Sequence, residues 1–198
     1  MKENIIIQKS KKQVIKICNS PKEFQKELYV YQKNFFFTPK LLDNDGKNTL
    51  ILEYIHGIPI IDLAKPDFAK IAGIISKLHS SENKLGKCIC HFDNNPKNYI
   101  FADDYYMLDF SLWRYDYPET DLIHFLLFWA SIYKSNTFKT IFREFMDSYQ
   151  QTSVINQIEW ELLMPEVIER FDARRRKFGK KEINPDLINN RKILKNIF

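Results

Sequence analysis

The chain is poor in glycine. It has five glycines in 198 residues, and none precedes Gly46. A glycine-rich loop that closes over phosphates early in the chain is therefore excluded, because such a loop needs residues without a Cβ for close backbone approach. Cysteine is scarce as well. Cys18, Cys88 and Cys90 form an odd set without regular spacing, which argues against a disulfide framework and fits a reducing, cytoplasmic setting. Cys88-x-Cys90 reads either as half a metal site with no second cysteine pair to complete it, or as two small apolar residues on a strand. Long apolar runs are absent too. Leu122 to Tyr133 is the most apolar stretch, and its twelve residues include His124. That is short of the ~20 needed to cross a bilayer, so it reads as a buried helix. Ile5-Ile6-Ile7 is too short for the core of a signal peptide. No internal repeat or low-complexity tract is present.

The composition is 44% hydrophobic and 15% aromatic, enough for a sizeable core in one or two domains. A net charge of +5 is mild. It suits an anionic substrate or cofactor and does not call for nucleic acid. Arg170, Arg174, Arg175, Arg176 and Lys177 form a basic cluster. It reads either as a site for a phosphate-rich partner or as a solvated helix end that complements the helix dipole.

Local signals divide the chain. Asn4 to Gln8 and Gln13 to Cys18 read as two strands around a polar turn, Lys9 to Lys12. Ser20 is a helix N-cap, with Pro21 at the first helical position and Glu23 placed as a capping box requires. That helix runs to Gln32, with Phe24, Leu28 and Tyr31 on one apolar face. Short strands follow at Leu41-Leu42 and Thr49 to Tyr54, joined by an Asn44-Asp45-Gly46 turn. Beyond this point helices dominate. They are predicted at Pro66 to Ser81, from near Asp121 onward, at Thr137 to Gln150 and at Ile155 to Lys177. Pro165 either kinks the helix after Ile155 or marks its start. A last helix begins at Asn184-Pro185.

The chemistry concentrates in His91 to Asp109, HFDNNPKNYIFADDYYMLD. Asp93 and Asn98 lie on one loop, and Pro96 between them argues against a helix there. Tyr99-Ile100-Phe101 and Tyr105 to Leu108 read as strands around an Ala102-Asp103-Asp104 turn. A hairpin of that length brings Asn98 and Asp109 to the same end. Two neighbouring oxygen ligands suit Mg²⁺, which takes few protein ligands and completes its octahedron with water and phosphate oxygens. Asp93 would stand just off the metal, free to orient and deprotonate a hydroxyl.

His-x-Asp-x-x-x-x-Asn, then a hairpin, then Asp-Phe resembles the catalytic loop and metal-binding turn of the protein-kinase-like superfamily. The similarity is closest to the aminoglycoside phosphotransferase and choline kinase branch, where the loop typically reads H-G-D-L-H-P-G-N. His91, Asp93, Pro96 and Asn98 match that loop, and Ser111 stands where the glycine after Asp-Phe is usually missing in that branch. Lipopolysaccharide kinases and RIO-type atypical protein kinases share much of the pattern. The resemblance implies a two-lobed α+β fold: a small, truncated antiparallel-sheet N-lobe over residues 1–54, and a larger helical C-lobe over 55–198 that carries the catalytic loop.

It further implies transfer of the ATP γ-phosphate to a hydroxyl of a small molecule, with ATP and Mg²⁺ as cofactors. Asp93 would be the catalytic base, and Asn98 and Asp109 the metal ligands. Lys16, the one charge in an apolar strand, would grip the nucleotide phosphates; its other reading is a solvated surface lysine. A glutamate on the following helix would hold that lysine. Glu27 is the choice and Glu23, which capping also explains, the reserve. Glu53 to Gly57 resembles the hinge between lobes, where Glu53 and Ile55 would offer backbone groups to adenine. His91 would support the loop, and Asp121 would hold it from below or serve as an N-cap acid. The same resemblance has Lys16 approaching Asp109 across a cleft. His79 reads as a packed or capping residue.

The chain departs from the family in three places. No glycine loop covers the phosphates, as if the chain started one strand late. Phe92 replaces a small or basic residue. Lys97 replaces the glycine before Asn98, where it would meet a transferring phosphate or an anionic substrate, or is simply a solvated lysine. An atypical protein kinase and a pseudokinase that binds a protein partner without catalysis are the alternative readings.

Overall fold

The computed structural model describes residues 5–10, 12–177 and 185–195. Lys11, in the predicted basic turn, lies outside them. Contacts group the chain into two compact units, Met1–Pro66 with Pro96–Trp113, and Asp67–Asn95 with Arg114–Phe198.

The first unit is built on an antiparallel sheet. Its strands β1 (Ile5–Ser10), β2 (Gln13–Ile17), β3 (Leu41–Asn44) and β4 (Thr49–Glu53) are ordered β1-β2-β4-β3. Burial alternates along β4, with Leu50 and Leu52 buried and Ile51 between them only partly so, as a sheet with one covered face requires. The helix α1 (Pro21–Gln32) begins where the capping signals place it, with Ser20 Oγ accepting from Glu23 N at 3.2 Å. Its buried face differs from the apolar pattern. Phe24, Glu27, Val30 and Tyr31 are buried, while Leu28 is half-buried. A 3.6-residue period puts position 27 in the same stripe as 24 and 31, so an acid is carried into the core. A second sheet joins β5 (Ile58–Pro59), β8 (Tyr99–Phe101) and β9 (Tyr105–Met107) in the order β5-β8-β9. Gly57 leads into it. A Cβ there would lie 2.3 Å from Ile100 Cγ2 and 2.5 Å from the Phe101 carbonyl oxygen, so this approach requires glycine.

The second unit is mainly helical. Its helices are α2 (Phe68–Ser80), α3 (Pro118–Ala130), α4 (Ser135–Gln150), α5 (Gln157–Lys177) and α6 (Pro185–Lys195). α2 starts two residues after Pro66, because the Asp67 side chain caps it by accepting from Lys70 N at 2.9 Å. α3 is apolar on nearly every side and accordingly buried. α5 runs on through Pro165. A three-stranded antiparallel sheet, β10-β7-β6, is formed by β6 (Asn83–Lys84), β7 (Lys87–Cys90) and β10 (Arg114–Asp116). The elements are those of the two-lobed α+β architecture that the resemblance implies, a small antiparallel-sheet lobe and a larger helical one. No helix among the described residues is long and apolar enough to cross a membrane.

Candidate active site

In the first unit, three ionisable side chains meet. Lys16 is the one fully buried residue of β2 and is 4% exposed, which rules out the solvated-lysine reading. Its Nζ lies 2.5 Å from Glu27 Oε1 and 2.8 Å from Asp109 Oδ1. Glu27 is completely buried. Glu23 is occupied elsewhere, its carboxylate accepting from Asn19 N at the helix start.

Packing of α1 on the segment after Asp109 brings the acids together. Tyr31 stacks edge-on against Phe110, and Tyr29 stacks on Trp113. Trp113 Nε1 donates to the Lys26 carbonyl at 2.6 Å, and Asp109 N donates to Tyr31 Oη at 3.3 Å. Asp109 has left-handed backbone, φ 61° and ψ 68°, a conformation that costs a non-glycine residue free energy and persists only where surroundings enforce it.

Electrostatics separate the two acids. Burial pushes the Glu27 carboxyl up to about 8, against the pull of Lys16. Burial also opposes ionisation of Asp109, but the Lys16 ammonium and hydrogen bonds from Lys16 and Ser111 outweigh it and hold that carboxyl well below the usual range. Burial would lower Lys16; Glu27 and Asp109 together raise it instead. Asp109 is thus the firmly ionised one of the two carboxylates, and its side chain is 38% exposed.

The hairpin β8–β9 pairs Tyr99 with Met107. Leu108 N donates to the Asn98 carbonyl at 2.8 Å, so Asn98 and Asp109 leave the hairpin at the same end. A carboxylate and an amide oxygen are both hard-oxygen donors of the kind magnesium prefers. Lys97 is exposed. Beside the opposite, turn end of the hairpin is a pocket of about 520 Å³ whose lining includes Glu53, Ile55, Phe101 and Tyr106.

In the second unit, Asp121 organises the loop that carries Asp93. It lies in the first turn of α3, inside the helix rather than at its N-cap, and is fully buried. Its carboxylate accepts from His91 N, from Phe92 N at 2.8 Å and from His79 Nε2 at 3.3 Å. Burial opposes its ionisation, but the bond from His79 and the positive charge beside it dominate and lower it. Asn94 Nδ2 donates to the Asp121 carbonyl at 3.2 Å. Phe92 has φ 67°, left-handed at the position the family's loop usually gives to glycine.

Several partners here were not assigned from sequence. Both Asp93 oxygens are bound by Arg174 of α5, Nη1 to Oδ1 at 2.9 Å and Nη2 to Oδ2 at 3.1 Å. The Phe92 ring has Arg114 Cζ 3.6 Å and Arg170 Cζ 4.2 Å from its centroid. The i,i+4 spacing of Arg170 and Arg174 was visible in the basic cluster; their target was not. His79, Cys88 and Cys90 are buried, with potential ligand atoms within 4.8 Å of one another. Both nitrogens of His79 are already engaged, Nδ1 by Tyr149 Oη at 2.8 Å and Nε2 by Asp121, so the cluster reads as core.

No protein-family model matches the sequence, and no curated protein matches it. Solved structures do match. A choline kinase from Streptococcus pneumoniae superposes with a TM-score of 0.61 at 17% identity, covering 96% of this chain and 88% of that one. An ADP-bound aminoglycoside phosphotransferase gives 0.61 at 13% identity, covering 98% and 92%. An ethanolamine kinase from Plasmodium vivax gives 0.59 at 14% identity, covering 96% and 77%. At such identities what is shared is the architecture, and the chain has the two-lobed protein-kinase-like fold.

Proposed function

We propose that the protein is an ATP-dependent phosphotransferase that moves the γ-phosphate to a hydroxyl of a small molecule. The observation that carries this reading is the buried lysine held between two acids, Glu27 on one side and Asp109 on the other. A buried charge cluster is a poor source of stability, and a strained, ionised Asp109 next to it is the arrangement a phosphate-binding centre needs.

In this reading Lys16, steadied by Glu27, grips the nucleotide phosphates. Asn98 and Asp109 hold magnesium, which when bound offsets negative charge on the phosphates. Glu53 and Ile55 offer backbone groups to adenine. β8 separates them from Asn98 and Asp109 by three residues, roughly 10 Å of strand, which accommodates a nucleotide with its base at one end and its phosphates at the other. Asp93 orients the acceptor hydroxyl and takes its proton as the oxygen bonds to the γ-phosphorus. The bond from that phosphorus to the β–γ bridging oxygen breaks, and ADP leaves with the electron pair. His91 and Asp121 support the loop, and Lys97 faces a transferring phosphate or an anionic substrate.

The test is transfer of labelled γ-phosphate from ATP, with Mg²⁺, across sugars, amino alcohols, aminoglycosides and generic protein substrates. Asp109→Asn should abolish transfer and leave the far-UV circular dichroism spectrum unchanged, because a metal ligand is lost while no packing atom is. Transfer near the wild-type rate in Asp109→Asn would remove Asp109 from the metal site. The reading as a pseudokinase has one observation in its favour, the engagement of both Asp93 oxygens by Arg174. It predicts no transfer to any acceptor.

A further inference from the structure

The arginines around Asp93 are more than its counter-charge. Arg174 binds Asp93 through a two-pronged pair in which both side chains keep some exposure, 34% and 18%. Arg114 is neutralised by Asp116, its Nε lying 2.9 Å from Asp116 Oδ2. Arg170 is not comparably matched. Its ion pair is with Glu166 at 3.6 Å, which is 67% exposed, and such a surface pair contributes little; Asp121 and Asp116 act on it only through the longer-range field. Two nitrogens of its guanidinium, Nε and Nη2, are buried without a hydrogen-bond partner. His124, within the field of Arg170, is 1% exposed with neither ring nitrogen partnered. Burial, then the nearby Arg170 and Arg174, push this imidazole down to about 3, so it is neutral and adds no charge of its own. Buried donors left unpaired are rare in folded proteins and point to a missing partner.

Geometry narrows what that partner is. Arg170 and Arg174 are four residues apart on α5, on the same face of the helix, and both reach the loop segment Phe92-Asp93. A planar guanidinium with free donors matches the oxygen pair of a carboxylate or phosphate. A cationic acceptor would meet like charge here, which disfavours it.

We infer that the acceptor carries an oxyanion, a phosphate or carboxylate, beside its reacting hydroxyl, and that Arg170 and Arg174 bind that group. This rests on the phosphotransferase reading of Asp93. In the unliganded protein the Asp93 carboxylate stands in for the acceptor's anion on Arg174. When the anionic acceptor enters, its oxyanion takes over the guanidinium donors of Arg174 and Arg170. Asp93 is released to accept the hydroxyl proton. The site therefore selects acceptors of the opposite charge to choline or an aminoglycoside, and it withholds its base until one arrives.

The experiment is calorimetric titration of the full chain with four hydroxyl compounds: glucose 6-phosphate, glucuronate, glucose and choline. Phosphate and carboxylate are thereby separated. At least one of the two anions should bind roughly tenfold or more tighter than glucose, as the added charge-assisted hydrogen bonds require, and choline should bind no better than glucose. Arg170→Gln should bring the anion to within about twofold of glucose, and Arg170→Lys should fall between. Lys16→Met should leave the preference intact, because the anion does not sit at the nucleotide's phosphates. The inference is overturned if neither anion outbinds glucose, if choline binds as tightly as they do, if the preference survives both Arg170 variants, or if Lys16→Met removes it. Labelled-phosphate transfer separates this from the underlying reading. Transfer to glucose or choline without anion preference sinks the inference alone. Anion preference without transfer to any acceptor sinks the phosphotransferase reading, and with it the acceptor role of the bound anion.

Discussion

Replacing Asp121 by asparagine probes the loop's support without removing bulk. In the native protein its two oxygens receive His91 N, Phe92 N and His79 Nε2. Asparagine keeps one acceptor oxygen and turns an NH₂ group toward donors that need an acceptor. Hydrogen bonds to a charged group contribute about 1.5–3 kcal/mol each, and a buried donor left without its acceptor costs a further 1–3 kcal/mol. Relief from burying a carboxylate offsets part of this. The net loss should be about 3–5 kcal/mol, read as a fall in the urea midpoint of unfolding.

The effect should depend on pH in a defined way. Asp121 is lowered from 3.8 in the folded protein, so its stabilisation is full above 3.8 and disappears as pH falls through the folded value. Burial would lower His79, but the bond to Asp121 wins and raises it from 6.5. That contribution is full below 6.5 and is lost as pH rises through the folded value. The gap between wild type and Asp121→Asn should therefore be widest between about pH 4 and 6.5 and narrow on either side. Turnover should fall while ATP affinity holds, because the Phe92-Asp93 segment loses its anchor. A gap under about 1 kcal/mol at pH 6, or one that widens steadily to pH 9, would refute the assignment of Asp121 as the loop's anchor.

Two other perturbations test the charged residues separately. Asp93→Ala should lower kcat by about 10²-fold or more if Asp93 is a general base, with little change in ATP affinity; wild-type turnover in steady-state assays would show the catalytic loop to be wrongly placed. Glu27, raised from 4.5 to about 8 by burial, resists ionisation in the folded state, so stability should fall as pH rises across that interval. Glu27→Gln should flatten this fall in urea titrations run at a series of pH values, and an unchanged slope would place the proton elsewhere.

What was legible in the sequence is what neighbours in the chain decide. Ser20, Pro21 and Glu23 set the start of α1 because capping is satisfied within one turn. The length of the Tyr99–Met107 hairpin puts Asn98 and Asp109 at one end, because strand register is fixed by the turn. The 3.6-residue period carries Glu27 into the same stripe as Phe24 and Tyr31, although the apolar pattern alone put Leu28 there. The family resemblance already pairs Lys16 with Asp109, 93 positions away. Tertiary structure alone decided that Arg174 reaches Asp93 across 81 positions. A charge gives no sequence sign of its partner when the partner is brought by another element. Whether the basic run of α5 faces water or the loop depends on the rotation of that helix against α3 and the loop, and that rotation is set by packing. The same holds for Phe92, whose left-handed backbone is no preference of phenylalanine itself and whose N–H is bound by Asp121 from outside the loop.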